Sequence, residues 1–274
     1  MVWQTERPVT ELVGAAGELW AAEPAVNTML LSLTGGSAPH TGGWWRAPDG
    51  SVAGSYLHST IGMLLLGSMP PRSASVLAER LAGDRKPLSA RGVQGPRALV
   101  EEFVAVWEAR TGARAAATMD QALHRLGTLI GPEPGPEGWA RTAGPGDRDR
   151  LLGWFTAFGE ETGAIVDLPA AVDARLATGL LTIWEHQGRP VSLAGSTVPA
   201  RGSSRITSVY TPPPLRGNSF AAGAVSASVR QAQAQGADSV VLFTDMANPT
   251  SNALYRRLGF ERITDFRQVL YATT

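Results

Sequence analysis

The sequence predicts an α/β protein of two domains, each a sheet flanked by helices, and three observations lead there. At mid-chain the run Gly131-Pro132-Glu133-Pro134-Gly135-Pro136-Glu137-Gly138 has linker composition and divides 274 residues into halves of ordinary domain size. The halves share a pattern. Trp44-Trp45 followed by Asp49-Gly50 and Ala53-Gly54-Ser55 reads as strand, turn and strand, as does Ile183-Trp184 followed by Gln187-Gly188 and Ala194-Gly195-Ser196. Gly54 and Gly195 stand 141 residues apart, and the Pro-rich runs that follow, at Pro70 and Pro212, stand 142 apart, which points to a diverged duplication. The third observation is the alternation of strand-like and helix-like periods along the second half.

The elements follow in order. In the first half the hairpin over 44–55 leads to the strand-sized apolar run Met63-Leu64-Leu65-Leu66. After Pro70-Pro71-Arg72, Val76, Leu77 and Leu81 recur at helical spacing, and Phe103, Val106 and Trp107 lie on a helix closed by Gly112. Beyond the linker, Leu151, Leu152, Trp154, Phe155 and Phe158 form one apolar stripe, and Leu168 to Leu176 predicts a short helix. The second hairpin is followed by a strand over Arg205–Tyr210 and a helix from Asn218 to Gly236. A buried strand at Val240-Val241-Leu242-Phe243, a helix over Ser251–Leu258 and a last strand near Gln268–Tyr271 complete the half.

Composition narrows the function. There are 24 Lys+Arg against 24 Asp+Glu and no block of like charge, so nothing marks a nucleic-acid partner. The absence of cysteine removes disulfides, thiolate catalysis and zinc–thiolate sites. His40, His58 and His124 have no ligand spacing, and no metal site is expected. The opening residues carry Glu6, Arg7 and Pro8 where a signal peptide needs a basic end and an apolar run, and the apolar runs are too short to span a bilayer. The expectation is a cytoplasmic protein without a membrane partner, a monomer or a homodimer.

One stretch invites chemistry. Tyr210-Thr211-Pro212-Pro213-Pro214-Leu215-Arg216-Gly217-Asn218-Ser219-Phe220-Ala221 stiffens the approach to a helix start and then strips it of bulk. A helix N-terminus offers unpaired N–H groups and the positive end of the dipole, and small residues let an anion approach them.

This strand–turn–helix unit resembles the acetyl-CoA site of the GNAT superfamily of N-acetyltransferases. The family turn, Gln/Arg-x-x-Gly-x-Gly/Ala, is matched by Arg216-Gly217-Asn218-Ser219-Phe220-Ala221, with Ser219 where the main glycine is usual. The resemblance implies that these backbone N–H groups bind the CoA pyrophosphate. It also implies that Val209, Tyr210 and Thr211 pair with the pantetheine arm. Farther on, Asn248-Pro249-Thr250-Ser251-Asn252-Ala253-Leu254-Tyr255-Arg256-Arg257-Leu258-Gly259-Phe260 resembles the family's later motif. There Asn248, Ser251 and Asn252 would lie near the pantetheine and phosphates, and Tyr255 would protonate the departing thiolate. The resemblance covers residues 138–274, and it implies a mixed, mostly antiparallel sheet in each domain.

The first half, residues 1–135, lacks both motifs: Pro70-Pro71-Arg72-Ser73-Ala74-Ser75 has no glycine, and Trp107 stands where the tyrosine would be. It resembles the degenerate N-terminal copy of tandem GNAT proteins of actinobacterial type. For a general base, Glu185 lies on the first hairpin strand, where the family often places an acid near the acceptor amine. His186 should face the opposite way, and Glu160 and Glu161 follow the helix that would border the acceptor. The expected activity is transfer of an acetyl group from acetyl-CoA, as cosubstrate, to the amine of a small molecule. Another acyl-CoA reaction, such as decarboxylation, or non-catalytic CoA binding stands as the alternative.

Overall fold

A computed structural model describes residues 2–36, 38–83, 90–162 and 168–272. The chain forms two compact units, Met1–His124 with Phe243–Pro249 and Arg262–Thr274, and Arg125–Leu242 with Thr250–Glu261.

The first unit opens with β1 (Val2–Pro8), α1 (Val9–Ala22) and α2 (Thr28–Thr34), followed by β2 (Thr41–Arg46), β3 (Val52–His58) and β4 (Met63–Leu66). Then come α3 (Ser73–Ala82), β5 (Gly92–Pro96), α4 (Arg97–Thr111) and β6 (Ala115–Leu126). The first hairpin forms as read, with Trp44↔Ser55 and Trp45↔Gly54 in antiparallel register. Trp45 packs 5.5 Å from Trp3 between ring centroids, so the tryptophan pair belongs to the core. β4 and β5 run parallel, as α3 between them requires. Phe103 and Trp107 stack at 5.5 Å on the inner face of α4, which Gly112 closes in the left-handed conformation.

The second unit holds β7 (Trp139–Thr142), α5 (Arg148–Thr162), α6 (Leu168–Thr178), β8 (Leu181–His186), β9 (Arg189–Ser196) and β10 (Ser203–Tyr210). It continues with α7 (Phe220–Ala234), β11 (Ser239–Asp245), α8 (Pro249–Arg257) and β12 (Phe260–Tyr271), of which β11, α8 and β12 each run from one unit into the other. Its strands order as β11-β10-β9-β8-β7, antiparallel except where β10 meets β11. Alternation along the strands sorts the core into two layers. Ile206, Ala194, Val240 and Leu242 pack with Ala222, Val225 and Val229 of α7, while Leu181, Ile183 and Leu193 pack with Leu151 and Phe155 of α5 and Val172 of α6.

The last strand departs from the sequence reading. It begins at Phe260, eight residues earlier than Gln268, and its end pairs antiparallel with β5 of the first unit, from Phe266↔Pro96 to Leu270↔Gly92. Periodicity marks a strand but carries nothing about which edge will receive it. Val269 and Tyr271 accordingly sit in the first unit's core.

Candidate active site

The strand that leads to the predicted turn separates from its neighbour. β10 pairs with β11 only over Ser203↔Ser239, Ser204↔Val240 and Arg205↔Val241, while on its other side it continues along β9 as far as Tyr210↔Leu193. The ladder with β9 is bulged between Thr207 and Tyr210, and within the bulge Ser208 has φ 53°. A bulge turns backbone groups out of the regular ladder. The stretch that carries Val209 and Tyr210 therefore has a main-chain edge beyond its pairing with β11. Ser192 fixes the strand's end by donating through Oγ to the Tyr210 carbonyl at 3.1 Å, and its Oγ lies 2.8 Å from Thr211 Oγ1.

The turn is built in three steps. Pro212 leads into a 3-10 turn at Pro213–Leu215, Arg216 is extended, and α7 starts at Phe220. Between them Gly217 has φ 85° and Ser219 φ 58°. Left-handed residues interleaved with ordinary ones direct successive N–H groups into a common concavity, and the first amides of α7 add donors with no intrahelical acceptor. A Cβ at Gly217 would meet nothing within 4 Å, so the glycine answers to its dihedral angle, and its outer side is open. Ser219 takes the left-handed conformation without that freedom. The equivalent loop of the first unit is shorter, with six residues between β4 and α3 against nine between β10 and α7.

Around this frame the predicted residues fall as follows. Arg216 Nη2 meets both Glu161 carboxylate oxygens at 2.7 Å, its Nε donates to the Thr211 carbonyl at 2.9 Å, and its guanidinium carbon lies 6.0 Å from the Tyr210 ring centroid. Asn218 donates through its side-chain amide to the Leu215 carbonyl at 3.1 Å, which ties the turn to itself. Phe220 is buried and packs 5.3 Å from His186, ring to ring. Tyr255 is buried on α8, edge-on to Phe260 at 5.9 Å, within the same apolar cluster as Ala222, Ala224 and Val225 of α7. Burial pushes its phenol well above the usual tyrosine range, so it holds its proton across the neutral range. Gly259 closes α8 at φ 91°, and a Cβ there would run into the Thr128 carbonyl. Ser251 and Asn252 are half-buried in the first turns of α8. Asn248 lies in the preceding turn, its N–H on the Asp245 carbonyl at 3.0 Å.

Glu185 faces away from His186, as alternation requires, and meets Arg141 Nε at 2.9 Å. Arg141 also grips Asp147 through both terminal nitrogens, at 2.7 and 2.8 Å. The Arg141 hydrogen bond holds the Asp147 carboxyl below its ordinary range against the opposing effect of burial. Glu185 is thus the half-buried end of a carboxylate–guanidinium–carboxylate chain between β8, β7 and the start of α5. Sequence reasoning missed Arg141, Asp147 and Arg175, because arginines scattered through a neutral chain carry no spacing signal. Among the described residues no group of three or more His, Asp or Glu side chains is placed to hold a metal ion.

Residues 149–260 match the model of the acetyltransferase (GNAT) family. No curated protein matches the chain. Among solved structures, a GNAT-family acetyltransferase from Colwellia psychrerythraea aligns with TM-score 0.59 at 13% identity, over 99% of this chain and 100% of its own. An N-acetyltransferase from Sphaerobacter thermophilus aligns with TM-score 0.59 at 20% identity, over 98% of this chain and 94% of its own. A tandem GNAT protein from the clavulanic acid biosynthesis pathway aligns with TM-score 0.54 at 12% identity, over 100% of this chain and 99% of its own. Identities this low establish fold alone, and the turn at 216–221 and the Tyr255 helix both lie inside the matched segment. Residues 149–260 therefore match the acetyltransferase (GNAT) family model, and the chain shares a mixed α/β fold along its length with GNAT structures.

Proposed function

We propose that the domain at 138–274 transfers an acetyl group from acetyl-CoA to the amine of a small molecule by direct attack, and that residues 1–135 descend from a second copy that has lost CoA binding. The observation that carries the reading is the turn at 216–221. Its two left-handed residues and unpaired helix amides open beside a bulged strand within the GNAT-matched segment.

The chain's own groups have distinct roles in this reading. Amides of 217–221 hold the pyrophosphate, and Asn248, Ser251 and Asn252 lie near the pantetheine and phosphates. The main-chain edge of Val209, Tyr210 and Thr211 receives the pantetheine arm and places a donor toward the thioester oxygen. Acetyl-CoA supplies the activated thioester. The acceptor nitrogen forms the new C–N bond as the C–S bond breaks; Glu185 takes the proton from nitrogen, and Tyr255 gives one to sulfur. Holding both reactants in one cleft removes the entropic cost of a bimolecular encounter. Among the described residues no helix is long and apolar enough to cross a membrane. The proposal sets the protein in the cytoplasm, as a monomer or a homodimer, with no nucleic-acid partner.

Calorimetry with acetyl-CoA, followed by a mass-detected transfer assay on a panel of amines, tests the reading. Binding with transfer is the expected result. Binding with thioester breakdown but no acylated amine would indicate decarboxylation or another acyl-CoA reaction, and binding alone would indicate a CoA-binding protein.

A further inference from the structure

On the face of the second unit's sheet that α5 and α6 cover, Arg175 has no counter-ion among the described residues. Arg175 rises from α6 between the Phe155 ring, 5.3 Å from its guanidinium carbon, and β10. Its Nη1 donates to Thr207 Oγ1 at 2.9 Å and to Ser208 Oγ at 2.7 Å. Both acceptors are neutral hydroxyls, and among the described residues no carboxylate lies within ion-pair distance of it.

The remaining donors, Nε and Nη2, lie side by side along one edge of the guanidinium plane. At two other arginines that edge holds a carboxylate. Arg148 binds both Asp173 oxygens through Nε and Nη2 at 2.6 and 2.9 Å, and Arg267 binds Asp120 in the same way at 2.7 and 3.0 Å. Arg175 is thus oriented by two hydroxyls, and among the described residues its bidentate edge has no partner. Burial works against its charge and depresses its pKa, so an anion arriving there relieves a cost that the fold carries. The neighbouring Arg205 adds positive potential to the same place and has its own pKa pulled down to about 10, by burial first and by Arg175 second.

The position is informative. Ser208 is the bulge residue, and the next two residues of the strand are Val209 and Tyr210, where the acyl donor is read to lie. The span from Ser208 to Tyr210 is about 7 Å. We infer that Arg175 is the acceptor's anion site, and that the acceptor is a short amino carboxylate whose amine reaches the thioester while its carboxylate sits on the Nε/Nη2 edge. A planar carboxylate matches this two-donor edge better than a point charge would. The inference rests on the acyl-transfer reading for the identity of the site and names the class of amine that reading leaves open.

Ligand-observed NMR on the full-length, CoA-saturated protein tests it, using free amino acids, their carboxamides and phosphoethanolamine. Acetylation of the same compounds is followed by thiol release. At least one free amino acid should bind and be acetylated, with its carboxamide weaker by about 10–100-fold. Arg175→Met should bring the acid down to the level of the amide while CoA affinity is unchanged. Arg175→Lys keeps the charge but loses the fork, and should shrink the acid-to-amide ratio without abolishing it. Equal binding of acids and amides, a preference that survives in Arg175→Met, or binding of no free amino acid would overturn the inference. Binding of phosphoethanolamine alone would overturn the carboxylate assignment. The acyl-transfer reading fails separately, if CoA gives no heat. Carboxylate binding that Arg175→Met removes would then still assign the anion site.

Discussion

Arg216 and Glu161 are clasped, with both carboxylate oxygens 2.7 Å from one guanidinium nitrogen. A carboxylate from the end of α5 thus occupies the guanidinium beside the turn proposed to bind CoA. If the proposed reading holds, Arg216 exchanges one anion for another when CoA binds. The two side chains are 48% and 43% exposed, so the pair is worth at most about 1 kcal/mol. Glu161→Gln is expected to tighten CoA binding by about 2–5-fold by calorimetry, with the gain shrinking at high salt. Weaker binding in the variant would show that Glu161 orients Arg216 for the ligand instead of competing with it.

Ser219 occupies the left-handed region at φ 58°, where a side chain costs roughly 1–2 kcal/mol. Glycine removes that strain but returns about 0.5–1 kcal/mol through the unfolded chain. Ser219→Gly should therefore raise the melting temperature by about 1–3 °C and leave CoA affinity equal or slightly better. Ser219→Val adds a β-branch to the same dihedral and should lower stability. A large loss of CoA affinity in Ser219→Gly would identify the hydroxyl itself as a phosphate ligand.

Tyr255→Phe retains the ring against Phe260 and removes one proton. If the phenol protonates sulfur, kcat should fall by about 10²–10⁴-fold while CoA affinity and melting temperature barely move. The raised phenol pKa works both ways. It keeps the acid protonated at every pH of interest, and it makes proton transfer to a thiolate of pKa about 8.5 easier to reverse. Normal turnover in the variant would remove the acid role.

The same burial makes an alkaline prediction. Tyr255 and Tyr271 both have folded-state pKa values above the unfolded value of about 10, through burial in each case and, for Tyr271, the added charge of Glu108. A raised folded pKa contributes stability that is complete below pH 10 and is lost as pH rises past it, because the unfolded state releases its proton first. Denaturant melts between pH 8 and 11.5 should show stability constant to about pH 10 and falling beyond. In Tyr271→Phe the fall should be shallower. An unchanged slope would mean that the Tyr271 hydroxyl is solvated in the native protein.

Much of this was legible in one dimension because it depends on local covalent preferences. Pro212-Pro213-Pro214 and Gly217 specify a turn wherever they occur, Gly112 and Gly259 end helices for want of a Cβ, and alternation along 181–186 puts Glu185 and His186 on opposite faces. The turn at Arg216–Ala221 and the helix bearing Tyr255 were readable for the same reason: their shape rests on residues with restricted backbone preferences.

What the tertiary structure decided is who meets whom. Nothing in the run Phe266–Leu270 says that it will pair with β5, since any strand edge offers the same donors and acceptors. Side-chain partners across elements are equally silent in sequence. Glu161 reads as a solvated helix end, Arg141 and Asp147 as surface charges, and Arg175 as one arginine among many, until packing of α5 and α6 on the sheet brings each to its neighbour. The positive φ at Ser219 belongs to the same class, for a serine's sequence context permits the helical and the left-handed conformation alike, and only the path from β10 into α7 selects the second.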